Sequence, residues 1–200
     1  MDRFKNFQEL CRHAVEGRDF RIEMRSGKSN LAVMAPHGGA IEPGTDVLAD
    51  AIAGTEHAFY AFKGKRIRNN TELHIASERF DEPRALAVAR MAHTIITVHG
   101  CRGNGTEIYV GGLAADLAGD IIKALKKTGF AASGATRSSL AGVHRLNLCN
   151  RGRSRKGVQL ELSSRLRRQL TATVTPWSAA SHPFNRFVAS IRHVLDRFPL

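Results

Sequence analysis

Two hundred residues suit one domain, and a hydrophobic share of 42% supplies a core that a disordered chain lacks. Lys and Arg outnumber Asp and Glu by 30 to 18, and the formal net charge of +12 attracts polyanions, nucleic acid or polycarboxylate. No run approaches the roughly 18 apolar residues of a membrane span, the N-terminus has no apolar signal core, and Cys11, Cys101 and Cys149 are too far apart for a disulfide framework or a thiolate zinc pair; cytoplasmic synthesis without a signal peptide and without membrane contact is expected.

Residues 4–15 carry Phe4, Phe7, Leu10, Cys11 and Ala14 near helical spacing, and Gly17 ends the helix. Residues 19–24 alternate as a strand, 26–30 form a turn, and the apolar run Leu31-Ala32-Val33-Met34-Ala35-Pro36-His37 reads as a buried strand ending in histidine and two glycines. A helix follows to residue 53, with Pro43 acceptable in its first turn. Residues 57–62 and 73–76 read as strands, and a helix over 82–91 leads into Thr94-Ile95-Ile96-Thr97-Val98-His99-Gly100, a second strand ending in histidine and glycine. Beyond a glycine-rich loop at 100–105, residues 107–110 are β-like and 113–127 are helical, with Leu113, Leu117, Ile121, Ile122 and Leu125 on one stripe. A polar loop over 134–142, a strand end at 147–149 and a basic loop at 152–156 precede the strand Gly157-Val158-Gln159-Leu160-Glu161-Leu162-Ser163. Ser163 is placed to cap a basic helix through Leu170; residues 171–181 are irregular, and a last helix covers 184–198. Strands alternating with helices predict an α/β fold: a single domain over 1–200, with an open, mostly parallel mixed sheet flanked by helices.

His37 and His99 thus reach the edge where open α/β sheets place ligands. Two histidines and a carboxylate can hold a catalytic zinc, and a further glutamate can take a proton from its water. Glu42 follows His37 closely and also suits a helix N-terminus. Glu161, between Leu160 and Leu162, is either a residue of a wet cleft or the buried partner of an arginine. His74 is a rival ligand or a site-lining residue. Asn150-Arg151, after a strand end, either grips a substrate carboxylate or lies on a solvated surface. Arg102 and Tyr109, after His99, are further candidates for substrate contact.

Seven segments carry a resemblance. They are Ala35-Pro36-His37-Gly38-Gly39-Ala40-Ile41-Glu42-Pro43-Gly44-Thr45, Leu73-His74-Ile75-Ala76, Phe80-Asp81-Glu82-Pro83, Val98-His99-Gly100, Tyr109-Val110-Gly111-Gly112-Leu113, Asn147-Leu148-Cys149-Asn150-Arg151 and the Glu161 strand. In order, from about residue 15 to 198, they resemble the phage-type poly-γ-glutamate hydrolases, often labelled phage-related replication proteins. The resemblance implies a zinc carboxypeptidase-like fold, one zinc per chain, and hydrolysis of γ-glutamyl amide bonds. It makes His37, Glu42 and His99 the ligands and Glu161 the general base, and likens Asn150-Arg151 to the carboxypeptidase Asn-Arg pair. The implied partner is an anionic polyglutamate-like chain, reached outside the cell through phage-induced lysis. Lys63, Ala76 and Ala114 depart from the family pattern; the zinc set stays intact while negative charge is removed. Two alternatives share the chain's features. One is a zinc amidohydrolase for a small N-acyl amino acid or a peptidoglycan-type γ-glutamyl bond. The other is a basic nucleic-acid-binding replication protein, which lacks a helix-turn-helix, zinc-finger or aromatic RNA-binding signature.

Overall fold

The computed structural model describes residues 2–172 and 182–198. The chain runs α1 (Phe7–Cys11), β1 (Phe20–Arg25), β2 (Leu31–Gly39), α2 (Thr45–Ala53), β3 (Ala58–Gly64), a 3-10 turn (Asn70–Leu73), α3 (Pro83–Met91) and β4 (Thr94–Cys101). It continues through β5 (Glu107–Gly111), α4 (Ala115–Lys127), β6 (Ala131–Gly134), a second 3-10 turn (Leu148–Arg151), β7 (Val158–Ser163), α5 (Ser164–Thr171) and α6 (Pro183–Leu195). The strands form one sheet in the order β1-β3-β2-β4-β7-β5-β6. The four central strands β3, β2, β4 and β7 are parallel, β1 and β5 join antiparallel, and β6 lies parallel to β5.

The central strands are buried on both faces, which is why they read as continuous apolar runs rather than as alternation. Successive side chains of β2 still serve opposite faces. Leu31, Val33 and Ala35 join the core under α2, α4, α5 and α6, whereas Ala32 and Met34 join the core with Leu10, Leu73, Ile75, Phe80 and Ala85. The α/β sheet and its flanking helices match the sequence expectation, and Ser163 caps α5 by accepting from the Leu166 N–H.

Four local differences have physical causes. The first helix covers only Phe7–Cys11, because the Val15 N–H turns to the Asp19 carboxylate at 2.9 Å. The expected strand at 73–76 is a 3-10 turn followed by extended chain, and its backbone groups bond to side chains instead of a ladder. The Ala76 N–H donates to Asp2, and the Ile75 carbonyl accepts from His37. The expected strand end at 147–149 begins a 3-10 turn, which the Asn147 side chain caps by accepting from the Cys149 N–H. Strand β6, Ala-Ala-Ser-Gly at the sheet edge, has no apolar alternation to announce it. The irregular segment expected at 171–181 lies outside the described residues from 173 onward.

Asp19 also ties β1 to the chain beyond β3, accepting from Arg18 at 2.9 Å and Arg66 at 2.8 Å. The Val15 N–H holds its carboxyl down to about 2; burial opposes this and the two arginines assist. A carboxylate depressed in the folded state stabilises above its unfolded value and loses that contribution as pH falls through the folded one. In urea unfolding, Asp19→Asn is therefore expected to be less stable than wild type by a constant amount above about pH 4, with the difference shrinking toward about pH 2.

Candidate metal centre and active-site cleft

Beyond Met34 the ladder between β2 and β4 ends, while β4 stays paired with β7 through Cys101. Against β3, the register of β2 shifts between Ala35 and Gly38, a bulge that accommodates Pro36 and aims His37 into the gap. A turn then brings the chain back, closed by the Glu42 N–H donating to the His37 carbonyl at 2.9 Å. The five-residue spacing of His37 and Glu42 is the length of that turn.

The Nδ1 atoms of His37 and His99 lie 3.1 Å apart, and the Glu42 carboxylate lies 3.5 Å from the first and 3.9 Å from the second. Both imidazoles are buried. The opposite edge of each ring is engaged: His37 Nε2 donates to the Ile75 carbonyl at 2.8 Å, and His99 Nε2 lies 3.4 Å from Ser77 Oγ. The Gly100 N–H donates to Glu42 at 2.8 Å, fixing the carboxylate against β4. Burial opposes the charge of Glu42, yet His37 and His99 hold it down to about 2. Burial likewise opposes a proton on His37, and Glu42 outweighs it, raising the group above 6.5. Burial and the neighbouring His37 push His99 down to about 3. Two imidazoles and one carboxylate thus face one another. Their ligand atoms all lie within 4.8 Å of one another, and a buried two-nitrogen, one-carboxylate set with an open side fits a catalytic zinc ion.

Glu161 stands in register with His99 across β4 and β7 and lines the same cavity, of about 650 Å³, as His37, Glu42 and His99. Its carboxyl accepts from Gln159 Nε2 at 2.9 Å, and Gln159 accepts from Asn147 at 2.8 Å. Burial, then the charge of Glu42, raises Glu161 well above 4.5. A second cavity of about 650 Å³ shares Glu42, His74 and Gly100 with the first and adds Arg102, Ser164 and Arg167. His74 lies at this junction, its ring 3.9 Å from that of His37 and its Nδ1 donating to Asp2 at 2.8 Å.

Other candidates sit elsewhere. Tyr109 is opposite Glu161 on β5 but outside the lining of both cavities. So are Asn150 and Arg151. The Asn150 side chain accepts from Leu113 and Gly157 and donates to the carbonyls of Gly142 and His144. Arg151 donates to the carbonyls of Leu146, Phe80 and Glu78. The pair staples the 142–147 loop and the 78–80 segment together. Gln159, Asn147, Ser77 and Asp2 carry no sequence signal of a site role of their own, whereas Arg167 belongs to the basic cluster that follows the Glu161 strand. Strand period puts Gln159 on the face of Glu161, but nothing local links Asp2 to His74. Lys63 bridges Glu23 and Asp46 at 3.0 and 2.7 Å, and Ala114 lies outside both cavities; Ala76 lines the first.

The family model for poly-gamma-glutamate hydrolase matches residues 4–190. The SPbeta prophage-derived UPF0714 protein YoqZ of Bacillus subtilis (strain 168) is 34% identical over 175 residues, 87% of this chain; the match spans 63% of that relative's length. The structure of a bacteriophage poly-gamma-glutamate hydrolase superposes with a TM-score of 0.90 at 28% identity, covering 98% of this chain and 97% of that one. Zinc-free apo YndL superposes with a TM-score of 0.89 at 30% identity, covering 98% of each chain.

Two variants separate ligation from scaffolding. After incubation with zinc, elemental analysis is expected to find about one ion per chain in wild type and Arg151→Met, and none in His37→Ala. Arg151→Met is expected to lose about 1–3 kcal/mol of unfolding free energy, because three carbonyls lose a charged donor; an unchanged stability with a raised KM would instead make Arg151 a substrate contact.

Proposed function

Because this chain belongs to the poly-γ-glutamate hydrolase family, we propose that it is a zinc-dependent hydrolase of γ-glutamyl amide bonds. The substrate is poly-γ-glutamate or a related γ-glutamyl chain; His37, Glu42 and His99 hold one zinc ion, and Glu161 is the general base. The observation that carries this reading is the register of Glu161 with His99, which puts a buried carboxylate in the cavity that the ligand trio lines. The solved phage hydrolase and the zinc-free form of YndL support the substrate and the metal. The net charge of +12 suits a polyanionic chain.

Zinc bound there supplies Lewis-acid polarisation of the amide carbonyl and acidifies the attacking water. Burial and Glu42 both oppose the charge of Glu161 and so strengthen its carboxylate as a base. Gln159 occupies Oε1, leaving Oε2 without a protein hydrogen bond among the described residues. Oε2 takes the proton from water as its oxygen attacks the carbonyl carbon, then returns it to the leaving nitrogen as the C–N bond breaks. One new carboxylate and one free amine result. His74, oriented by Asp2, contacts the bound chain at the junction of the two cavities, and Asn150 and Arg151 shape the loop beside it.

Glu161→Gln is expected to retain zinc and lose about 10²–10⁴-fold in kcat on poly-γ-glutamate. Undiminished turnover in that variant overturns the assignment of the base. Cleavage of short γ-glutamyl amides with no cleavage of the polymer would select the small-substrate alternative.

A further inference from the structure

Arg167 is only 7% exposed, yet its charge has no carboxylate at ion-pair distance among the described residues. Its contacts are neutral: Nε donates to the Leu162 carbonyl at 3.2 Å, Nη1 to the Pro43 carbonyl at 2.7 Å, and Nη2 to Ser164 Oγ at 3.4 Å. A guanidinium has five N–H donors, so one on Nη1 and one on Nη2 remain. The less buried Arg66 and Arg84 are each paired with two carboxylates. Gly100 makes room for the arrangement, because a Cβ there would meet Arg167 Cζ at 2.4 Å.

Arg167 lines the second cavity, beside the metal trio. The other charged groups of that lining are largely matched among themselves. Asp2 is bound by His74 and Arg79, Glu72 by Arg3 and Arg66, and Glu42 belongs to the ligand set. Arg102, exposed at the rim, and Arg167 are the cations of that lining without an ion pair among the described residues; Glu42 and Glu161 act on Arg167 only through space. A buried, uncompensated charge is costly, and an anion that completes its hydrogen bonds is bound well there.

We propose that this second cavity is a carboxylate subsite, in which Arg167, with Arg102 at its rim, takes a free α-carboxylate of the substrate on the side of the scissile bond away from Glu161. Resting on the hydrolase reading above, it gives the cleft a way to recognise γ-linked glutamate, whose every unit leaves its α-carboxyl free. A chain bound there lies across the metal trio with its next units in the cavity of Glu161.

The test is calorimetric titration of zinc-loaded Glu161→Gln protein with γ-linked tetraglutamate, and with the same tetramer carrying α-amides. The acid is expected to bind about tenfold or more tightly than the amide. Adding Arg167→Gln is expected to weaken the acid about 10- to 100-fold and to leave the amide unchanged. Arg167→Lys, which keeps the charge and loses the planar fork, falls between them. Zinc content and unfolding midpoint accompany each variant. A role confined to holding the Pro43 carbonyl would weaken both probes equally and overturn the proposal, as would acid binding indifferent to Arg167. Should Arg167→Gln not fold, Arg167→Lys and Arg102→Ala carry the same comparison, and an unchanged acid-to-amide ratio in both overturns it. Failure of wild type to cleave polymer would overturn the hydrolase reading alone, since carboxylate-selective binding that depends on Arg167 stands without turnover.

Discussion

The carboxylate of Glu42 is the constraint around which the cleft is arranged. It is an anion at the mouth of a gap between two buried strands, and burial of an unpaired charge is prohibitive. It is met from three sides: by the Gly100 N–H on β4 and by the Nδ1 edges of His37 and His99. Meeting those partners requires the turn that returns the chain from His37 to Glu42, the bulge at Pro36-His37 and the early parting of β2 from β4. Each departs from ideal sheet geometry, and together they leave room for an ion at a sheet edge.

Around this trio, irregular backbone does work that regular elements cannot. The 73–76 segment forgoes a strand, and the carbonyl and N–H so released hold His37 and Asp2. The 138–147 loop closes the other side of the cavity, held by Asn150 and braced by Arg151. Supporting hydrogen bonds of this kind fix the orientation of a ligating ring and leave its other nitrogen available. Rigid strands thus deliver the imidazoles, and loops decide which way they face.

The excess of positive charge divides into two populations. Some cations are committed within the fold: Lys63 bridges Glu23 and Asp46, Arg66 holds Asp19, and Arg151 holds carbonyls. These add to net charge without offering it to a ligand. Arg167 and Arg102 are different, because they line a cavity and make no ion pair among the described residues. Composition counts both populations alike, whereas recognition depends only on the second.

The sequence alone determined the elements whose signal is local. Long apolar runs bounded by glycine marked β2, β4 and β7, since a strand buried on both faces must be apolar throughout. Ending two such runs in histidine placed His37 and His99 at one edge, and period two placed Glu161 on the opposite face to Leu160 and Leu162. The two histidine positions and the facing of Glu161 were therefore legible in the sequence, and Glu42 was a candidate through its closeness to His37. The tertiary structure alone decided how Asp2 reaches His74, how Ile75 meets His37 and why Arg167 lies behind Gly100. It also turned Asn150 and Arg151 away from the cleft and into backbone carbonyls. Those outcomes depend on which distant segments share a space once the sheet has formed, and an asparagine or arginine carries the same donors whether it meets a ligand or a loop.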